Sequence, residues 1–372
     1  MTLVPFEALR SMHTDRREFL SVSLAAGALL ATRAHAGEER PKAAKSLDIL
    51  VFGGTGLIGP PLVQALSARG HKVVLFNRGK TKADLFPELE RIKGDRDPAK
   101  DDGLKGLEGR KFDVVFDDNG YYPRHVKVSS EMLAKAGSGH IVYVSSISAY
   151  AKNDVVGADE TAELGRMADP TVETMGASYE FYGPLKVLCE EAATAAFAGR
   201  STIVRPGYIV GPGDWSDRFT YWPLRFQRGG KILVPGSATD PIQIIDVRDL
   251  ADVMVKLGEA RTAGAFNACG PKETLPWGKV IEECQNSSSA KDISVRWATL
   301  AELEKLGPLD FPIWAASEGD SKGFHTWSNA KAVAAGLTFR PVDVILRDTL
   351  AWFATLPEER RGKVRAGLSA EA

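Results

Sequence analysis

Cysteine is scarce. Cys189, Cys269 and Cys284 are the only three in 372 residues. They have neither the close pairing of a zinc site nor the density of a disulfide framework. Reduced, partly buried thiols and no metal centre are expected. An excess of either charge is also missing, since 47 basic and 48 acidic residues leave a net charge of −1. No long Lys/Arg run occurs, which excludes the usual footprint of a nucleic-acid partner. No repeat or low-complexity tract stands out. The apolar stretch Val22 to Ala31 is too short to span a bilayer comfortably. What remains is an ordinary globular composition, 44% hydrophobic and 26% charged, long enough for one two-lobed domain or two modest ones.

The first residues have their own pattern. Asp15-Arg16-Arg17-Glu18-Phe19-Leu20, the apolar stretch and Ala34-His35-Ala36 follow in order. The segment resembles a twin-arginine signal peptide, with Asp15 and Ser21 departing from the usual pattern and Met12 a candidate start. Residues 1–36 are therefore expected to be an export signal and 37–46 a linker. The resemblance implies the twin-arginine export machinery as a partner. It implies a periplasmic or extracellular location, with a membrane anchor as the alternative if the signal stays on.

Leu47 to Phe52 is nearly all apolar and runs into Gly53-Gly54-Thr55-Gly56-Leu57-Ile58-Gly59 and then an amphipathic helix. Strand, glycine turn and helix in that order suit a dinucleotide pyrophosphate. Glycines permit the tight turn, the close approach of the phosphate and close helix packing, and the helix start offers N–H groups. Strands follow at 71–76, 89–92, 112–116, 140–144 and 201–204, with helices between. The alternation predicts an α/β, doubly wound parallel (Rossmann) sheet over 47–206. A smaller α/β substrate lobe over 207–356, interleaved with the last core elements, and a frayed tail over 357–372 complete the chain. The short element Ala265–Ala268 is expected in that lobe.

Ligands in such sheets bind at the carboxyl ends of strands. The second strand ends in Asn77-Arg78 instead of the acidic residue that binds an NAD ribose. Arg78 suits a 2′-phosphate, so NADP is favoured over NAD. Asp95 is a candidate for the adenine amino group or a cap. Asn119 and Gly120 would border the cofactor. The fifth strand ends in Ser145-Ser146. A helix expected from Ser178 to Phe197 carries Tyr182 and Lys186 one turn apart on one face, with Pro184 as a local cost. An ammonium beside a phenol lowers its pKa, which would make Tyr182 a general acid/base. Arg218, Tyr221 and Trp222, in a Gly/Pro loop, and Gln243 are candidates for facing substrate, an aromatic wall with an anion-binding arginine. Asp246 and Asp249 read as helix caps.

Gly53 to Gly59, Val144-Ser145-Ser146, Tyr182-x-x-x-Lys186 and Arg205-Pro206-Gly207 together resemble the extended short-chain dehydrogenase/reductase superfamily, and within it the NAD-dependent epimerase/dehydratase family. The resemblance spans about 47–350. It implies Tyr182 as catalytic acid/base, Lys186 on the nicotinamide ribose, and Ser146 (or Ser145) on the substrate oxygen. It places Pro206 and Gly207 at the nicotinamide, and Gly53, Thr55, Gly56, Leu57, Ile58 and Gly59 at the pyrophosphate. Substrates of such enzymes are sugars or nucleotide sugars, and homodimers are common. Export in the folded state would favour a tightly bound cofactor and redox-neutral chemistry such as epimerisation. The alternatives are an NADPH-dependent reductase of a small carbonyl compound, or a non-catalytic cofactor- or RNA-binding member of the fold.

Overall fold

The structure is a computed structural model that describes residues 40–368 except 101, 307, 308 and 310. The expected export signal lies outside the described residues. The first half builds β1 (Asp48–Phe52), α1 (Gly59–Ala68), β2 (Lys72–Asn77), β3 (Glu90–Lys93), β4 (Val114–Asp117), α2 (Pro123–Lys135), β5 (His140–Val144), α3 (Tyr182–Ala196) and β6 (Ser201–Pro206). Next come β7 (Tyr208–Val210), α4 (Tyr221–Gln227), β8 (Lys231–Pro235), β9 (Pro241–Ile242), β10 (Ile244–Asp246), α5 (Val247–Ala260) and β11 (Gly264–Ala268). The chain closes with β12 (Leu275–Pro276), α6 (Trp277–Asn286), β13 (Ser294–Ala298), α7 (Leu300–Leu306), α8 (Ala330–Ala334), α9 (Val342–Ala354) and α10 (Glu358–Arg361).

The main sheet has seven strands in the order β11-β6-β5-β4-β1-β2-β3, all parallel. Alternate side chains of β1 serve opposite faces, as a doubly covered strand requires. Ile49 and Val51 pack with Leu62 and Leu66 of α1 and Leu250 and Met254 of α5. Leu50 and Phe52 pack with Leu133 of α2, Cys189 of α3 and Phe197, which follows α3. A second core gathers Phe219, Trp222, Phe226, Trp277 and Ile345, with the Trp222 and Trp277 rings edge to face at 4.9 Å.

Two expectations change. Ala265–Ala268 belongs to β11, the edge strand of the main sheet, where it pairs with β6 and not with the smaller lobe. Phe266 and Ala268 share the apolar cluster of Val204, so burial places the strand there. The residues after 357 are not frayed up to the last described position. Arg360 Nη2 donates to Asp217 Oδ1 at 2.7 Å, and the Arg365 backbone N–H donates to Asp217 Oδ2 at 2.9 Å.

One buried ion pair fixes α3 to the sheet. Arg205 of β6 donates twice to Glu190, at 3.0 and 2.6 Å. The same guanidinium reaches the Tyr150 hydroxyl at 3.0 Å, and that hydroxyl donates to Asn267 Oδ1 at 2.6 Å. Removing one partner strands a buried charge, so Glu190→Ala is expected to lower stability by about 3–5 kcal/mol. A urea unfolding midpoint that moves by less than about 1 kcal/mol equivalent would mean that solvent reaches Arg205.

Candidate active site

The glycine loop begins where β1 ends. Gly53 and Gly54 adopt φ of +100° and +80°, which a side chain tolerates poorly. A Cβ on Gly59 would come within 2.4 Å of the Gly54 carbonyl carbon, whereas one on Gly56 would meet nothing within 4 Å. Gly59 is thus the close-packing glycine, and Gly56 leaves room for a phosphate. Pro60 and Pro61 enter α1 directly after Gly59 and remove two of the N–H groups a helix start offers. The remaining donors there belong to Leu57, Ile58 and Gly59.

Thr55, Gly56, Leu57 and Ile58 line a cavity of about 980 Å³, a size that suits a large cofactor. Asn77, Arg78 and Lys80 line its second-strand side. Asn77 braces the loop: Nδ2 donates to the Gly53 carbonyl at 3.3 Å, and Oδ1 accepts the Gly79 N–H at 3.0 Å. Arg78 and Lys80 are exposed and make no ion pair among the described residues. They put two exposed cations on that side of the cavity. Asp95 lines the cavity and spends one oxygen on the Asp97 N–H at 2.9 Å.

The floor carries charge that sequence reasoning missed. Arg96 stacks 4.0 Å from the Phe52 ring centroid and donates to the buried Asp117 at 2.8 Å. Its Nε and Nη1 are buried without a partner. The Asp118 carboxyl presses against the glycine loop, since a Cβ on Gly53 would lie 2.0 Å from its Oδ1. Burial, reinforced by the Asp117 charge, pushes Asp118 up to about 7. Asn119 also lines the cavity, with its Oδ1 unpartnered. The only sequence signal for this floor was the run Asp117-Asp118 itself, two acids at the end of a buried strand.

The candidate catalytic set sits beyond the β5 end. Tyr182 is the first residue of α3, four residues later than expected. Pro184 therefore falls in the first turn, where a missing N–H leaves no helical bond unmade, so the anticipated cost disappears. The positive end of the helix also lies at the tyrosine. The Tyr182 hydroxyl lies near enough to Ser146 for that side chain to oppose the rise of its pKa. Ser146 Oγ in turn accepts the Ser148 N–H at 3.1 Å. Ser145 is 4% exposed with an unpartnered Oγ, so Ser146 is the serine beside Tyr182.

Lys186 differs from expectation. Its Nζ donates to the carbonyls of Gly120 (2.8 Å) and Val144 (2.6 Å), between the rings of Tyr143 (4.4 Å) and Tyr121 (5.2 Å). It is 3% exposed, and burial pushes it down to about 8. Burial raises the Tyr182 phenol instead of lowering it, opposed by the nearby Ser146 side chain and the Arg218 charge. The cation acting on the phenol is Arg218 rather than Lys186.

The remaining candidates divide. Arg218 lines the cavity with Trp215 and Ile209. Tyr221 and Trp222 do not face it. They are 2% and 0% exposed, and Trp222 Nε1 donates to the Pro312 carbonyl at 2.8 Å, so their aromatic bulk builds the second core. Gln243 lines a separate cavity of about 620 Å³ with His325 and Trp327 and bonds the Trp327 backbone through both amide atoms. Pro206 and Gly207 are absent from the cavity wall. Gly207 N–H donates to the Ala268 carbonyl at 3.2 Å and packs near Cys269. Asp246 caps α5 through the Arg248 N–H at 2.8 Å, and Asp249 accepts Arg340.

Strand order and glycine loop define an α/β protein of the dinucleotide-fold class. The chain belongs to the NAD dependent epimerase/dehydratase family, whose model matches residues 49–269, more than half its length. Chloroplast stem-loop binding protein of 41 kDa b from Arabidopsis thaliana is 30% identical over 247 residues, covering 62% of this chain and 60% of that protein. The chain thus spans less than two thirds of that relative. The 2-alkyl-3-oxoalkanoate reductase of Stenotrophomonas maltophilia (strain K279a) is 28% identical over 295 residues, 71% of this chain and 84% of that one. In structure, UDP-glucuronic acid 4-epimerase from Bacillus cereus, solved with NAD, superposes with a TM-score of 0.58 at 17% identity, covering 82% of this chain and 97% of that one.

The floor makes stability depend on pH. The folded pKa of Asp118, about 7, exceeds its ordinary 3.8. The native state therefore keeps a proton that the unfolded chain gives up. Its stabilisation is full below about pH 4 and is lost as pH rises through 7. Asp118→Asn, neutral throughout, is expected to gain on the wild type between pH 5 and 8 by on the order of 2 kcal/mol. Thermal unfolding at both pH values measures this, and a constant difference would contradict it.

Proposed function

We propose that the protein is an NAD(P)-dependent oxidoreductase that interconverts a carbinol and a carbonyl, with Tyr182 as the proton donor and acceptor. One observation carries the reading: a cavity of about 980 Å³ starts at a glycine loop open at Gly56 and has in its wall Arg218, the cation whose charge reaches the Tyr182 phenol. The cavity fits a dinucleotide. Backbone N–H groups of Leu57 and Ile58 face the pyrophosphate position, Asp95 keeps an oxygen for the adenine amino group, and Arg78 and Lys80 suit a 2′-phosphate. A nicotinamide bound there supplies reversible hydride exchange with a substrate carbon.

The chain's own groups do the rest. Ser146 Oγ holds the substrate oxygen, and Tyr182 Oη gives that oxygen a proton or removes one. A phenol raised by burial rests protonated at neutral pH, which suits donation to a carbonyl oxygen, the direction of a reductase. Lys186 anchors α3 to the ends of β4 and β5 through two carbonyls, and so sets the height of Tyr182 one turn earlier. Two relatives act on oxygenated carbon by their names, an oxoalkanoate reductase and a sugar-nucleotide epimerase, and both substrate types stay within the proposal. Tyr182→Phe is expected to cut turnover by about 10²–10⁴ with dinucleotide affinity unchanged. Undiminished turnover would remove Tyr182 from the chemistry.

Likeness to a stem-loop binding protein favours a second reading, RNA binding without redox chemistry. The balanced net charge and the intact Ser146, Tyr182 and Lys186 weigh against it. Parallel titrations with NADPH, NADH and a stem-loop RNA separate the two. Arg78→Ser is expected to weaken NADPH about 10- to 100-fold, the value of one or two charge-assisted bonds, with little effect on NADH. Salt-sensitive RNA binding with no dinucleotide affinity would reverse the order of the readings.

A further inference from the structure

We propose that Arg218 is the anion-binding residue for the substrate, which is a hydroxy or oxo acid with its carboxylate close to the reacting carbon, and that the C-terminal segment 358–365 holds Arg218 in place. The inference rests on the redox reading above and names its substrate class.

Arg218 is an exposed cation in the cavity wall, beside the candidate proton donor. Its Nε donates to Ser216 Oγ at 3.2 Å, and its guanidinium lies 5.0 Å from the centroid of the Tyr208 ring. Among the described residues no carboxylate pairs with it. One edge is committed and the plane is stacked, so the terminal nitrogens remain for a ligand. A planar fork of donors matches a carboxylate bidentately.

The loop holding this arginine is tied on both sides. Before it, Asp214 is buried and accepts both the Ser216 N–H (2.9 Å) and Ser216 Oγ (2.5 Å). Next to it, Asp217 is fully buried with φ +59°, a left-handed conformation that costs a non-glycine residue energy and persists only when its surroundings impose it. The surroundings are the C-terminal segment. The Asp217 carboxylate accepts Arg360 Nη2 and the Arg365 N–H, and both arginines also donate to the Trp215 carbonyl, at 3.1 and 3.2 Å. A segment some 145 residues away in sequence thus clamps the two residues that flank Ser216 and sets the Arg218 backbone. Trp215, 62% exposed at the cavity edge, is part of the same clamp.

A dinucleotide diphosphate is the competing source of negative charge, and the test separates it from substrate. Full-length protein saturated with NADP is titrated with D-glucuronate and 3-oxobutanoate and with their uncharged methyl esters, following tryptophan fluorescence and heat. At least one acid is expected to bind about tenfold or more tightly than its ester. Arg218→Gln should abolish that preference and Arg218→Lys restore part of it, both with NADP affinity within about twofold of wild type. Arg360→Gln, and Asp217→Asn where circular dichroism shows it folded, should shrink the preference without removing NADP binding, which separates positioning from general unfolding. Equal binding of acid and ester, no binding of either acid, or a selective loss of NADP affinity in Arg218→Gln overturns the proposal. If wild-type protein fails to bind any dinucleotide, the redox reading itself has failed.

Discussion

A buried ammonium must be satisfied from inside the protein, and Lys186 is satisfied by two carbonyls that belong to different strand ends. Gly120 follows β4 and Val144 ends β5. These bonds fix α3 in height and rotation against the sheet. Tyr143 secures the same carbonyl of Gly120 through its hydroxyl at 2.7 Å, and the Glu190–Arg205 pair pins the helix one turn further along. Tyr182, one turn before Lys186, inherits its position from all of these. Its place near Ser146 is thus a consequence of buried polar satisfaction, where each unmade bond would cost more than a surface bond could return.

The sheet was legible because buried parallel strands read as apolar runs and glycine turns punctuate them. β1, β2, β4, β5 and β6 fall within a residue or two of their expected places. The edge strand β11 was assigned to the wrong lobe because Gly264-Ala265-Phe266-Asn267-Ala268 has no feature that distinguishes an outer strand of one sheet from a strand of another. Tyr182, Lys186 and Ser146 were legible as motif residues, but their electrostatics were not. The i, i+4 spacing says that two side chains share a helix face. It does not say that Nζ turns toward the strand ends and that a loop arginine supplies the charge instead. Tyr221 and Trp222 show the same limit. Aromatic residues beside a Gly/Pro loop suit a core as well as a ligand, and tertiary packing decided for the core.

The cavity explains why a neutral chain can still have a strongly polar site. Arg78, Lys80 and Lys100 line one wall, Arg218 another, while Asp95, Asp117 and Asp118 are interleaved with Arg96 below. Composition averages such an arrangement to nothing. Local order is what matters, because cations on the open wall attract phosphate whereas the paired or protonated acids of the floor do not repel it. An Asp118 raised to about 7 is neutral over much of the range in which the carboxylates on the surface are charged.

Proteins similar to this chain in sequence or structure include, by name, a stem-loop binding protein, an oxoalkanoate reductase and a UDP-glucuronic acid 4-epimerase, so the fold alone cannot choose among activities. The choice has to come from groups whose arrangement would be costly without a use. An uncommitted guanidinium stacked on Tyr208 and a left-handed Asp217 answered from the far end of the chain are two such features. A binder of nucleic-acid backbone needs cations spread over a surface, whereas here the loop that carries Arg218 is restrained at the wall of one cavity, with Tyr182 within reach of its charge. That concentration of restraint at one point is the feature on which the proposed redox reading rests.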